Sequence, residues 1–440
     1  MSPTRLAHVL AALRTVVSLA LVALLVSACG NSGSFFGTLP ARIRVFNALV
    51  DGGPVNLTVF TEPIVTNLPF EGVTTYQSVD AGNREVKVSI AGGTSTIYDQ
   101  TTLILDDASY SYIVSGTTAA PLVQALVDKV VQDRTPDAGT FRLRIVNAAI
   151  TSPTFDVYVT QPGELLANMS PSFSGIAYGA TTTFTTFNAA TLQIRITLPG
   201  SKQVIYDAGP VKFNEKTVYQ LVGYTRGSST LVNGALLVID ATGTNSIVES
   251  LLAQLKLAHA APNTGPVNAL VDGTVTFANV PYQSASSYAG ISSGAHAVTV
   301  EAAGVPGAVI ASAQPLFRPA TDTSLVLMGL PGAQTVVPLT DTNLPGAFGR
   351  ARVRFVNAGS DLGPVDVLVN FAKVFTNVGN AAASTYIEEI EDTYTVTFDY
   401  AGTTSEIVSV PGVALTAGRT YTMYLIGTAG QYSTILARDD

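Results

Sequence analysis

ARVRFVNAGSDLGPVDVLVN (351–370) reads as two short β-strands and the turn between them. In Arg352-Val353-Arg354-Phe355 charged and apolar side chains alternate, and the run ends at Asn357. A period of two places Val353, Phe355 and Asn357 on one face, as in a half-buried strand closed by a polar residue. Gly359–Pro364 has turn composition, and the next strand points Val365, Val367 and Val369 inward and Asp366 outward.

The same pattern occurs four times: Arg44/Asn47/Ala48/Asn56/Val59, Arg144/Asn147/Ala148/Asp156/Val159, Lys256/His259/Ala260/Asn268/Val271 and Arg354/Asn357/Ala358/Asp366/Val369. The Asn/His positions lie 100, 112 and 98 residues apart, a period of one small domain rather than of a solenoid repeat. Each copy continues with an aromatic landmark (Tyr76, Phe184, Tyr288, Tyr386) and a turn-prone residue six positions on (Gly82, Ala190, Gly294, Asp392). A second alternating run follows, as in Arg84/Val86/Val88/Ile90, and then a strand running into Gly116, Gly223, Gly329 or Gly427. Ala235–Asp240 and Thr335–Leu339 supply a closing edge strand.

Six to eight short strands per copy predict an all-β chain of four tandem antiparallel β-sandwich modules, immunoglobulin-like in architecture. The Cys…Trp…Cys core of true immunoglobulin domains is missing, since the chain has one Cys and no Trp. The modules are expected at 41–139, 140–240, 254–341 and 342–440, with a linker at 241–253 that takes up most of the additional spacing. Pro121–Gln132 and Ser246–Leu257 fit short amphipathic helices about as well as strands.

Residues 1–28 read as a signal peptide. Arg5 and Arg14 precede an apolar run from Val16 to Val26, too short to span a bilayer, and Val26-Ser27-Ala28-Cys29 follows. Small residues before a Cys resemble the lipobox of bacterial lipoproteins. That resemblance implies lipidation of Cys29, with 29–40 as a tether and Gly30 favouring the outer membrane over the inner. The membrane is then one partner, through the lipid on Cys29. Net charge is −8, and becomes −10 once Arg5 and Arg14 leave with the signal peptide. An acidic chain without basic clusters argues against nucleic acid. Cys29 is the only cysteine, so no intramolecular disulfide forms.

The phrases at 351–370, FRLRIVNAAITSPTFDVYV (141–159) and LKLAHAAPNTGPVNALVDG (255–273) resemble the opening of domain-of-unknown-function family 4397. Four copies hold its register across 41–440, with copy 3 departing by Gln254 and Lys256 where the others have arginine. The resemblance implies an envelope location, often in tandem behind a lipoprotein signal, and assigns no activity.

Asn47, Asn147, His259 and Asn357 are the candidate repeated site, since both side-chain types donate and accept hydrogen bonds. A buried polar group ending a strand more often satisfies the adjoining turn. Asp156 and Asp366 invite pairing with Arg144 and Arg354, as cross-strand partners rather than as a charged site. His259 and His296, with Asp272 or Glu301, match no metal-ligand spacing, and no cofactor or metal is expected. There is no G-x-S-x-G elbow. Seventeen tyrosines make a glycan the leading small ligand, although core packing also accounts for those at the landmarks. The expectation is a non-enzymatic binding, adhesion or structural protein with an envelope protein or glycan as ligand. The alternative is a carbohydrate-binding or hydrolytic accessory protein with its site in one module, copy 3 being the first choice.

Overall fold

The computed structural model describes residues 39–129, 134–226 and 231–439. The expected signal peptide, Cys29 and the expected tether up to residue 38 lie outside the described residues. No helix occurs among the described residues, and both helix-or-strand stretches are strands where described: Ala120–Lys129, Asn245–Val248 and Leu252–His259.

Copy 1 sets the pattern with β1 (Ala41–Leu49), β2 (Val55–Val59), β3 (Glu62–Leu68), β4 (Gln77–Val79), β5 (Gly82–Ile90), β6 (Thr96–Ile104), β7 (Ser109–Thr117) and β8 (Ala120–Lys129). They form two sheets, β4-β1-β7-β8 and β3-β2-β5-β6. The same two orders recur through the other three copies, with short extra strands in copies 2 and 3 and a split fourth strand in copies 3 and 4. Pairing is antiparallel except that β1 runs parallel to β7, from Arg42 opposite Ser109 to Leu49 opposite Gly116. The counterparts of β1 and β7 are parallel in every copy. Side-chain alternation cannot reveal such a pair, because it reports faces and not neighbours.

The expected inward faces are inward. Val365, Val367 and Val369 are buried with Val353 and Phe355 in one core, and Val86, Val88 and Ile90 sit likewise in copy 1. The expectation of a half-buried first strand is corrected. The strand Arg350–Gly359 is buried on both faces from Val353 onward, because its outer face packs on another copy. Val356, Ala358, Tyr424 and Ile426 meet Ala258, Ala260, Val326 and Met328. Phe46, Ala48 and Ile113 meet Val146, Ala148 and Val222 in the same way. Copies 1 and 2 therefore lie side by side, as do copies 3 and 4.

Copies 1 and 2 point the same way. At the end where β1 begins, Arg42 donates to the Ala241 carbonyl and the Tyr76 amide to that of Thr242. At the opposite end, Tyr224 and Asn233 both donate to Glu71. The second pair stands on that opposite end. Arg226 of copy 2 binds Asp322 of copy 3 at 2.5 Å, while Gly418 of copy 4 lies against Asp51 of copy 1.

The expected linker at 241–253 brings this about. Asn245–Val248 adds a fifth strand antiparallel to Val232–Val238. It carries the chain back along copy 2, so that copy 3 begins at the far end. Among the described residues, copies 1 and 3 have no such return strand after their last strand, and their successors start beside them.

Candidate functional site

The Asn positions are tied into turns. Asn47 donates from Nδ2 to the carbonyls of Gly53 and Leu68, both at 3.0 Å, and its Oδ1 accepts the Leu49 amide. Asn147 and Asn357 repeat all three contacts, with Ser152, Ile176 and Ala149, and with Gly363, Val378 and Gly359. One side chain thus joins the arch between the sheets to the third strand, and it has no polar atom left over.

His259 is the exception. Its Nε2 donates to the Gly265 carbonyl at 3.1 Å, whereas its buried Nδ1 has no hydrogen-bond partner. Burial lowers the imidazole pKa below its ordinary 6.5, and the Gly265 carbonyl opposes this. The folded state therefore binds the proton more weakly than the unfolded chain. The stability this contributes is complete above the unfolded value and is lost as pH falls through the folded one. Thermal melts should show copy 3 losing stability below about pH 6.5, and His259→Asn should flatten that dependence. An unchanged pH profile in the variant would assign the effect elsewhere.

Asp156 and Asp366 do not pair with Arg144 and Arg354, which corrects the sequence expectation. The arginine strand and the aspartate strand belong to different sheets of one sandwich, so their outward faces look in opposite directions. Asp366 instead accepts the amides of Asn377 and Gly402 and binds Lys373 at 2.7 Å. Asp156 accepts those of Gly175 and Gly200. Asn377 and Gly175 have φ of 56° and 63°, so the carboxylate holds a left-handed kink in the next strand.

The basic residues lie instead at the centre of the interface between copies. Arg44 binds Asp128 at 3.2 Å, and Arg144 of copy 2 binds the same carboxylate at 2.5 Å. Each guanidinium also reaches into the neighbouring copy, Arg44 to the Val238 carbonyl and Arg144 to that of Val127. Between copies 3 and 4 there are two carboxylates: Asp341 pairs with Arg354 and Asp439 with Lys256. Burial alone would lower the Lys256 pKa, but Tyr424, Asp439 and Asp341 raise it, so the ammonium persists.

The aromatic landmarks belong to the same cluster, not to the sandwich cores as expected. Arg44 and Arg144 stand 4.7 Å from the ring centres of Tyr76 and Phe184, Lys256 stands 4.9 Å from Tyr288, and Arg354 stands 5.0 Å from Tyr386. Tyr76, Tyr288 and Tyr386 also donate to Asp128, Asp341 and Asp439. Burial, and then the Asp128 charge, raise the Tyr76 phenol well above its ordinary range, so it remains a donor. Copy 2 changes both positions together: Phe184 stands in place of the tyrosine, and Ile239, next after the Val238 that pairs with Tyr219, stands where Asp439 follows the Arg438 that pairs with Tyr421. The three carboxylates were missed in the sequence. The signal was this coupled exchange, Tyr with Asp or Phe with Ile, at separations of 52 and 53 residues in the Tyr–Asp copies.

In copy 3, His296 meets Asp272 and not His259. Its Nδ1 lies 2.6 Å from Asp272, and its Nε2 lies 2.9 Å from the Ser292 carbonyl and 3.5 Å from Ser292 Oγ. These are the residue types of a hydrolytic triad. However, the nitrogen that would take the serine proton already faces a carbonyl at the shorter distance. Among the described residues no three His, Cys, Asp or Glu side chains converge as metal ligands would.

Among the open clefts along the described residues, two are wide. One, of 550 Å³, lies at the start of copy 1 beside Phe60, Glu62, Asp80 and Arg84. The other, of 470 Å³, runs between copies 3 and 4 beside Ser284, Ser286, Ser287, Tyr288 and Arg438.

The model of a domain of unknown function, DUF4397, matches residues 41–158, 253–368 and 351–440. The chain belongs to that family. Between the matches, 159–252 of this DUF4397 chain is left out, and it holds the part of copy 2 with Phe184, Ile239 and the fifth strand. No curated protein matches the chain. Two solved structures are similar in part. CBMbc (family CBM26) from Eubacterium rectale Amy13K, in complex with maltoheptaose, is 9% identical over 48% of this chain and 96% of its own, with a TM-score of 0.15. The Bacillus anthracis TIE protein is 10% identical over 85% of this chain and 69% of its own, with a TM-score of 0.17. Likeness at that level decides nothing about this DUF4397 chain.

Proposed function

We propose that this chain is a non-enzymatic cell-envelope binding protein, held at the outer membrane by a lipid on Cys29, whose packed sandwiches display a surface to a glycan or an envelope protein. One observation carries the reading: the recurring residues are consumed in building the scaffold. The Asn side chains saturate turns, and the Arg/Lys and Asp side chains of the clusters lie buried between copies beneath half-buried aromatic rings. Ligand recognition then falls to surfaces where the copies differ. The cleft between copies 3 and 4 suits saccharide hydroxyls, since serine hydroxyls and a guanidinium line it.

The 41–440 fragment contains every described strand and serves for a screen against envelope glycans, envelope extracts and generic hydrolase substrates. The expected result is retention on a glycan, weakened about tenfold, or ~1.4 kcal/mol, by Ser287→Trp. Turnover of a hydrolase substrate that disappears in His296→Ala would overturn this reading. It would favour a second one, a hydrolytic site in copy 3, which rests on the meeting of Ser292, His296 and Asp272.

A further inference from the structure

The end of the molecule where the described chain begins carries a group of exposed apolar side chains. Leu39 is 58% exposed, Phe60 63%, Leu103 58% and Leu105 43%. They share one end of copy 1: Val79 is opposite Ala41, Ile104 is opposite Gly82, and Phe60 follows Val59 at the turn of the β2–β3 hairpin. In copy 2, Leu165 is 81% exposed in the loop after Thr154–Thr160, which takes the place of that hairpin turn. Because copies 1 and 2 point the same way, Leu165 lies at the same end of the pair. Isolated apolar side chains on a surface need no explanation, but a group gathered at one end does.

Phe60 stands at the tip of a tight turn. Phe60 has a φ of 58°, a region that disfavours bulky residues and suits Gly, Asn or Asp. Copies 3 and 4 place Asp272 and Asn370 at the matching turn position, with φ of 49° and 45°. Copy 1 thus holds an aromatic ring outward at a left-handed turn position, as copy 4 does one residue later with Phe371, whose φ is 67°.

We propose that this end is a membrane-docking face, with Phe60 and Leu165 entering the headgroup–acyl boundary of the leaflet that holds the Cys29 lipid. The proposal rests on the lipid anchor put forward above. Ten residue steps separate Cys29 from Leu39, a span of at most about 35 Å. An anchored chain therefore keeps this end within that span of the bilayer. Glu62 and Asp80 beside Phe60 leave the contact to apolar insertion, not to attraction by anionic headgroups. The inserted side chains add to the hold of the Cys29 lipid and fix how the first pair stands on the leaflet.

Phe371 supplies an internal control. It is 81% exposed at the corresponding hairpin of copy 4, which opens at the junction between the pairs, one sandwich further from the anchor. The chain has no tryptophan and one cysteine, so a single reporter and a single attachment point are both available. The mature chain, 29–440, is coupled through Cys29 to maleimide-headgroup lipid in phosphatidylethanolamine/phosphatidylglycerol vesicles, with and without brominated acyl chains. The tryptophan of Phe60→Trp should shift to the blue and lose emission to the brominated lipid, and that of Phe371→Trp should do neither. Quenching of both alike, or of neither, would overturn the docking face. Chemical coupling makes this outcome independent of lipidation in the cell. There, palmitate labelling should vanish in Cys29→Ser, and label that persists sinks the anchor while leaving the vesicle result to stand.

Discussion

Asp128→Ala is expected to cost ~3–5 kcal/mol, the range for removing one partner from a buried charge cluster. The carboxylate accepts from Arg44, Arg144, Tyr76 and Ser111, and its side chain is fully buried. Removing it leaves two guanidinium groups facing each other's copy without an anion, since Ile239 occupies the position where a second carboxylate would stand. The stacked rings of Tyr76 and Phe184 compensate only in part. Denaturant unfolding of the 41–440 fragment should show copies 1 and 2 melting earlier, while copies 3 and 4, with Asp341 and Asp439, keep their own transition. Exposed Asp137 is the reference, because its replacement by alanine should change stability by less than about 0.5 kcal/mol. A shift for Asp128→Ala no larger than that would mean that water reaches the cluster and screens it.

Asn357→Ala should be the second most damaging change, at about 3 kcal/mol. Truncation removes two donated bonds and one accepted bond, and leaves the carbonyls of Gly363 and Val378 without this donor. The loss lies in the arch between the two sheets, so copy 4 should open as a sandwich and not merely detach from copy 3. Limited proteolysis near Gly359–Pro364, read beside the unfolding midpoint, separates these outcomes. Cleavage no faster than in the parent protein would show that the arch holds without its asparagine.

Much of the fold could be read from residue alternation. Val365, Val367 and Val369 identified their own face, and the closing glycines marked where the counterparts of β7 end. The β1–β7 parallel pairing could not be read, because neighbours in a sheet are chosen by the whole chain and not by local pattern. Neither could the burial of both faces of the first sheet. Arg42, Arg44, Arg352 and Arg354 look like the solvated side of a strand, and Arg44 and Arg354 become interior only once another copy covers them, while Arg42 and Arg352 stay half-buried. Asp156 and Asp366 misled for a related reason. Close in sequence to an arginine, they belong to the opposite sheet. The best clue to the interface was the matched change from Tyr76 and Asp128 to Phe184 and Ile239, visible only when the copies are compared position by position.

The four strand residues Asn245–Val248 determine which part of the molecule is its head. Without that return pass each copy would begin beside the one before, giving a row whose members all stand at one height. With it, the chain gains a second storey, and its foot and summit become chemically different places. The foot carries the apolar side chains and the point of entry. The summit is made of the turns that close copies 3 and 4, where Thr264, Gln334, Asp361 and Tyr432 bind one another or nearby backbone. A protein built from one repeated sentence has thereby acquired a direction, and its twelve additional residues of spacing are where that direction is written.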